Sequence, residues 1–435
     1  MFKSLSVNLL KNVSFFFNIH SSKSGFVHYT KNIQWFLIAK IFSMALSMVT
    51  TVIMARILGP NSFGTLSYVL SFVGLFAVLS NLGIDNVLYK ELVLHKEKRE
   101  EILGSAITLK LATGILALFT CFAVVLLTNQ PTAIKALILL LSFSFITQTF
   151  SLFGYDFYKD GESKYVTYAQ IISQTISNSL KISVIYLYSS LLLFVGILII
   201  EQILTGLLYI YQIKKRGRTL ALKVSKARIL ALLVQSIPLT IFSASTEIYT
   251  RIDQIMIAHY INTTTVGLYA AATRLTEIWY TIPNILIGAL FPALMNSYGT
   301  PEKYTKRFRF LMIVLIFLAI LISTCMVLFG KYIILFIYGE SFSKSYPILA
   351  IYSLSLVGSF TSALINIDLL VKKRVWISAA ISAITCLFNI ALNILLIPNY
   401  ETAGAAIATV ISYSMIPVIY LVYVSLEKKK AQLKN

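Results

Sequence analysis

Five basic residues stand inside long apolar runs of this chain: Lys40, Lys110, Lys181, Arg251 and Arg274. A charge at the centre of a bilayer costs about 2.5–3.5 kcal/mol on insertion scales, so such residues face a protein interior or a water-filled cavity rather than lipid. Their neighbours at helical spacing are polar. Lys40 shares a face with Ser43, Ser47 and Thr50/Thr51, and Lys181 lines up with Gln170, Gln174, Ser177 and Asn178. Glu247 and Arg251 are four apart, with Ser243, Thr250 and Gln254 close by; Arg274 and Glu277 are three apart, and Thr281 and Asn284 continue that stripe. Ser378, Ser382, Thr385, Asn389 and Asn393 make a further polar face. Residues three and four apart are neighbours on a helix, so each set forms one stripe turned away from lipid.

A cavity with surplus positive charge and low-dielectric walls attracts anions, phosphate and pyrophosphate among them. Arg251 and Arg274 each have an acid on their own helix, so local ion pairing is the competing reading for both. Lys40, Lys110 and Lys181 have no acid one turn away and await a partner from another helix or a substrate. Lys110, near the end of its run, is also placed to snorkel to the interface. Buried carboxylates suit a coupling proton or sodium ion, because their charged form is costly when unpaired. Glu247, Asp253 and Glu277 are the candidates; Glu201, Asp85, Asp156 and Asp368 read as lying nearer span ends or lacking partners.

The elements that must hold these residues are membrane spans. Of 435 residues, 57% are hydrophobic and 12% charged, where a soluble domain carries about 25% charged residues. Runs near 20 residues long cross a hydrocarbon core of about 30 Å, and without water each must satisfy its own backbone as a helix. The short alternating segments of a β-barrel are missing. Spans are expected at 33–55, 66–88, 104–127, 133–155, 166–187 and 190–212, then at 229–258, 265–295, 309–329, 346–370, 376–397 and 403–425.

Basic residues sort onto alternate loops. Lys90, Lys96, Lys98, Arg99, Lys159, Lys164, the run from Lys214 to Arg228, Lys303, Lys306, Arg307, Arg309, Lys372, Lys373, Arg374 and both termini fall on one side; Arg56, Lys135, Lys331 and Lys344 fall on the other. The positive-inside rule makes the basic side and both termini cytoplasmic, which demands an even number of spans. This also accounts for the net charge of +20 without nucleic acid as a partner. Residues 1–32 read as an interfacial or cytoplasmic segment and not a cleavable signal. Tyr332–Tyr338 reads as too short to span and as lying at the outer interface.

The chain also repeats. The turn 56–64 resembles 259–267, and Asn178-Ser-Leu-Lys-Ile resembles Asn389-Ile-Ala-Leu-Asn, at offsets near 200–210. Six spans per half is even, so the halves enter the membrane in the same direction. The expected organisation is a six-helix bundle at 33–212, a basic linker at 213–228, a second bundle at 229–425 and a tail at 426–435, around a central cavity. Such an arrangement is a transporter architecture. Pro238, Pro283, Pro292 and Pro417 interrupt helices and could permit bending.

No G-x-x-x-x-G-K-[ST] loop is present to make ATP the direct energy source, and no HExxH, CxxC or G-x-S-x-G motif suggests an enzyme. Cys121, Cys325 and Cys386 lie far apart and the four histidines are scattered, so neither a metal nor another cofactor is implied.

Met54-Ala-Arg-Ile-Leu-Gly-Pro-Asn-Ser-Phe-Gly-Thr-Leu66 resembles the signature after helix 1 of the Wzx-type polysaccharide flippases. Tyr249-Thr-Arg-Ile-Asp-Gln-Ile-Met-Ile-Ala258 with Val266-Gly-Leu-Tyr-Ala-Ala-Ala272 is similar to the opening of that family's second half. Pro398-Asn-Tyr-Glu-Thr-Ala-Gly-Ala-Ala-Ile407 is similar to the turn before its last helix. The resemblance covers essentially the whole chain. It implies the multidrug/oligosaccharidyl-lipid/polysaccharide exporter (MOP) fold and a bacterial inner-membrane protein moving undecaprenyl-pyrophosphate-linked oligosaccharides, such as O-antigen units, to the periplasmic face. Membrane lipids, a proton or sodium ion, and polysaccharide polymerase and chain-length proteins are the partners it implies. The alternative is a cation/drug antiporter of the same fold, which should have a cavity dominated by acids. A membrane-embedded glycosyltransferase, polymerase or ligase would need a larger outer loop than the roughly 16-residue connection near 330–345.

Overall fold

The computed structural model describes the backbone of residues 23–432 and the side chains of nearly all residues from 40 onward. The expectations for residues 1–22 lie outside the described residues. The described chain is helical almost throughout and contains no strand. The first half comprises α1 (Lys23–Asn81), α2 (Ile84–Leu94), α3 (Arg99–Leu127), α4 (Thr132–Ser142), α5 (Ser144–Thr147), α6 (Tyr155–Tyr158), α7 (Ser163–Tyr188) and α8 (Leu191–Lys215). The second comprises α9 (Lys226–Tyr260), α10 (Thr263–Glu277), α11 (Thr281–Asn296), α12 (Pro301–Tyr338), α13 (Ser345–Tyr352), α14 (Ser355–Val371) and α15 (Val375–Gln432). Side-chain caps open several of them: Ser190, Ser225 and Asn262 accept from Leu193, Arg228 and Thr265, relieving amides that a first turn leaves unpaired.

Two helices are too long for one crossing, and both fold back. At 1.5 Å per residue α1 would be about 88 Å long. Gly59 breaks it with φ 71 and ψ 179, a backbone that glycine alone adopts readily, and Pro60 follows. Thr51 lies before the break and accepts a hydrogen bond from Arg274 at 3.4 Å; Ser71 lies after it and lines one small cavity with the same Arg274. On a straight helix these two residues would stand about 30 Å apart. In α15 the break falls at Glu401 (φ 51, ψ −130), just past Pro398. Asn393 and Thr409, one on each side, both reach Asp253, at 2.7 and 2.6 Å. Arg374 and Glu427, at the open end of this hairpin, pair at 3.1 Å.

Among the described residues, eight helical segments are long and apolar enough to cross a membrane, Lys40–Leu94 and Val375–Glu427 among them. Those two are hairpins and count twice. The polar-striped α7 and the α10–α11 pair complete the twelve crossings of a two-lobed all-α membrane fold. Large apolar side chains such as Phe119, Leu127, Phe317 and Phe336 point outward, as a lipid solvent requires.

The repeated turns meet each other. A Cβ on Gly64 would stand 1.8 Å from the carbonyl oxygen of Thr263, and one on Gly267 would stand 2.0 Å from that of Pro60. A shift of 203 positions carries Pro60 to Thr263 and Gly64 to Gly267, so the contact is reciprocal, as at a two-fold axis. The same shift carries Thr51 to Gln254 and Ser71 to Arg274. The corresponding bonds, Arg274 to Thr51 and Ser71 to Gln254 (2.9 Å), are both made. The axis therefore runs between α1 and the α9–α10 corner, and the end carrying Arg56 is closed along it.

One expectation is corrected and one refined. Tyr332–Tyr338 is not a separate segment: it forms the last turns of α12, which continues unbroken to Gly339, whose φ of 89 ends the helix. The acids set aside as partnerless or terminal are paired. Asp156 is fully buried against Arg99 (2.6 Å), Arg218 (3.1 Å) and Lys159 (3.5 Å). Asp368 is buried against Lys372 and the hydroxyls of Tyr304 and Tyr420. The connection from α8 to α9 is fastened to the first half by the pairing of Arg218 with Asp156 and by the amides of Lys223 and Ser225, bonded to Glu100 and Ser105.

Candidate functional site

The stripe Lys40, Ser43, Ser47, Thr51 on the first arm of α1 forms one wall of a cavity of about 580 Å³. Gln174, Asn178 and Lys181 of α7, Glu201 of α8, Arg274 and Glu277 of α10, Thr281 of α11 and Tyr338 at the end of α12 complete it. A second cavity of about 230 Å³ shares Arg274 and Glu277 and adds Ser67, Ser71, Thr250, Arg251 and Gln254. The polar faces of four helices from both halves thus converge on one space, within a shell of apolar packing.

The five cations differ in their surroundings. Lys40 is exposed to the larger cavity and makes no ion pair among the described residues. Lys181, 4% exposed, donates to Glu201 Oε2 at 2.6 Å; Ser177 donates to the same oxygen at 2.6 Å. Arg274 bonds Thr51 and lies with its guanidinium carbon 5.0 Å from the ring centre of Phe63. Arg251 pairs with Glu247 on its own helix and lies against Gly74, where a Cβ would meet its side chain. Lys110 is not in the cavity. It is 1% exposed and bonds Asp85 at 2.8 Å, so its stem is enclosed by protein and does not snorkel.

The candidate coupling acids separate likewise. Glu247 is held by Arg251, and Glu277 lines both cavities and accepts from the Tyr352 hydroxyl at 3.5 Å. Asp253 lies away from both cavities, inside the second half. Neutral donors surround it: Tyr269 and Thr409 on one oxygen, both at 2.6 Å, and Asn393 on the other at 2.7 Å. The Asn393 side-chain oxygen and the Asn389 side-chain nitrogen are buried without a hydrogen-bond partner. Asn389 and Asn393 of the α15 stripe therefore serve this interior cluster, Ser378 bonds Asn366 at 2.8 Å, and none of the stripe lines the central space. An acid with several oxygens and no cation beside it, one of them unsatisfied, has the donor set of a small hard cation.

Glu201, which lines the larger cavity and holds Lys181, is the cavity residue that sequence reasoning set aside. Its signal was available: it is the one acid in α8 and falls near the middle of that helix, where an ionisable side chain needs a partner.

The fold and cavity define the class: a multi-pass membrane transporter with two six-helix halves around a polar space. The chain belongs to the polysaccharide biosynthesis protein family, whose pattern matches residues 29–298, and the pattern of the lipid II flippase MurJ matches residues 169–435. In fold it is similar to an inward-facing multidrug resistance MATE family transporter of the MOP superfamily (TM-score 0.75, 14% identity, covering 89% of this chain and 95% of that one). It is similar also to lipid II flippase MurJ in an inward closed conformation (TM-score 0.72, 19% identity, 90% and 87% covered). A MOP superfamily transporter from Pyrococcus furiosus gives a TM-score of 0.66 at 14% identity, with 92% and 96% covered. None of the curated proteins matches the chain. These families are flippases and transporters, not enzymes, and they support the flipping of a lipid-linked substrate.

Proposed function

We propose that this protein flips undecaprenyl-pyrophosphate-linked oligosaccharide repeat units, of the O-antigen or a related surface polysaccharide, across the bacterial inner membrane by alternating access. The observation that carries this is the charge of the larger cavity: Lys40, Lys181 and Arg274 against Glu201 and Glu277, with no ion pair to Lys40 among the described residues. A cavity with a net cation suits a diphosphate headgroup. The cation/drug antiporter is less favoured for the same reason, since such a cavity should carry more acids than bases.

The basic loops and both termini face the cytoplasm in this reading, with 33–212 and 229–425 as the two bundles joined by 213–228. Lys40 then lies on the cytoplasmic arm of the cavity while the opposite end is closed by the Gly64–Gly267 contact, an arrangement suited to loading. A proton or sodium ion bound at Asp253 is the proposed coupling ion, and a polymerase with chain-length proteins receives the flipped units.

Depleting the protein from its host tests the proposal. Lipid-linked repeat units should accumulate on the cytoplasmic leaflet and surface polysaccharide should fall, with rescue by the intact chain but not by Lys40→Ala present at normal membrane level. Unchanged surface polysaccharide with raised sensitivity to cationic drugs would reject it in favour of the antiporter.

A further inference from the structure

The cavity cations lie at two depths. Ser43 of α1 bonds Gln174 of α7 at 2.6 Å, which sets the register between these helices. Both helices run from the basic end toward the closed end, so Lys40 lies one turn below this bond and Lys181 two turns above it. At 1.5 Å per residue the two lysines are about 15 Å apart along the membrane normal. The register brings Lys181 level with Thr50 and Thr51, and Thr51 is the partner of Arg274. A shallow station thus holds Lys40, and a deep one holds Lys181 and Arg274.

The two stations differ in one further respect. Lys40 has no acid beside it, whereas Lys181 is already engaged by Glu201 at 2.6 Å. Glu201 spends one oxygen on Lys181 and Ser177 together and lines the cavity itself. An anion arriving at the deep station must therefore compete with a carboxylate for the ammonium. A phosphate monoanion offers Lys181 one charge, no more than Glu201 already supplies. A diphosphate diester carries two charges on neighbouring phosphates and can take Lys181 while keeping Arg274.

We propose that Glu201 is the specificity-determining residue of the deep station: by holding Lys181 it makes the cavity reject singly charged lipid phosphates and accept diphosphates. This rests on the flippase reading above and adds to it the way carrier lipids of different charge are sorted. The device is a repulsive element built next to an attractive one, which is how discrimination exceeds what contact alone provides. It also keeps a buried lysine neutralised when no substrate is present, at a distance where an unpaired ammonium would be costly.

The test is binding of two diester probes that carry the same single sugar, a polyprenyl diphosphate sugar with two charges and a polyprenyl monophosphate sugar with one, to the full chain in lipid nanodiscs. The intact protein should prefer the diphosphate. Glu201→Gln should lower that preference by about tenfold, chiefly by tightening the monophosphate, and Glu201→Asp should restore it. Lys181→Gln should weaken the diphosphate, and adding Glu201→Gln to it should recover part of that loss, because the carboxylate it removes no longer has the lysine beside it. A general loss of folding would weaken both probes alike and leave the ratio in place, so the ratio reports specificity and not stability. An intact protein that prefers the diphosphate, with the same ratio in Glu201→Gln, would overturn the inference and leave the flippase reading standing. An intact protein that binds neither probe would overturn that reading, and the inference with it.

Discussion

Lys110 and Asp85 are held together at 2.8 Å with the lysine side chain almost wholly enclosed, and deleting either charge strands the other. Breaking such a pair costs about 3–5 kcal/mol, whereas replacing both partners with apolar side chains is close to neutral. Lys110→Ala should accordingly lower the thermal unfolding temperature of the detergent-purified protein, and Lys110→Met combined with Asp85→Leu should recover most of the loss. Lys40→Ala should leave that temperature unchanged and remove transport. A double variant no more stable than Lys110→Ala alone would contradict the structural role given to the pair. These opposite roles were not separable in the sequence, where both lysines are single cations in apolar runs without an acid one turn away. What separates them is a partner on another helix, and helical periodicity carries no information about that. Glu201 shows the same limit from the other side: its mid-helix position was visible, but its engagement with Lys181 requires the packing of α7 on α8.

At the scale of elements, the reciprocal approach of Gly64 and Gly267 leaves no room for a side chain, with backbone oxygens within 2.0 Å of where each Cβ would stand. Gly267→Val should keep the Arg56 end from closing, which would appear as labelling of nearby cysteines by membrane-impermeant reagents. Thr263 donates to Asn61 across this junction at 3.0 Å; a Cys pair at these two positions, oxidised, should stop transport, and a reductant should restore it. Transport that continues through the cross-link would show that this end need not open. The repeat of 56–64 at 259–267 was legible as a similarity of turns. That the two copies pack on each other follows from placing both halves around one axis, a tertiary fact. The twelve crossings were legible because lipid forces each span to close its own hydrogen bonds. The continuation of α12 through Tyr338 was not legible, since a short apolar stretch after Lys331 reads equally as an interfacial segment until Gly339 is seen to end the helix.

At the scale of the whole molecule, two polar places carry the functional reading: a central cavity with more cations than acids, and Asp253 with its neutral donors deep in the second half. If Asp253 binds the coupling ion, Asp253→Asn should abolish the dependence of transport on an imposed ion gradient while substrate binding persists; full gradient dependence in this variant would clear the residue. The flippase account as a whole is tested most directly in vesicles containing only the purified chain and a labelled polyprenyl-diphosphate oligosaccharide, by measuring the fraction of sugar that an impermeant sugar-modifying enzyme reaches from one side over time. The account predicts that the protected fraction redistributes across the bilayer with the intact chain and stays fixed with Lys40→Ala. Equal redistribution with both, or with vesicles lacking protein, would contradict it.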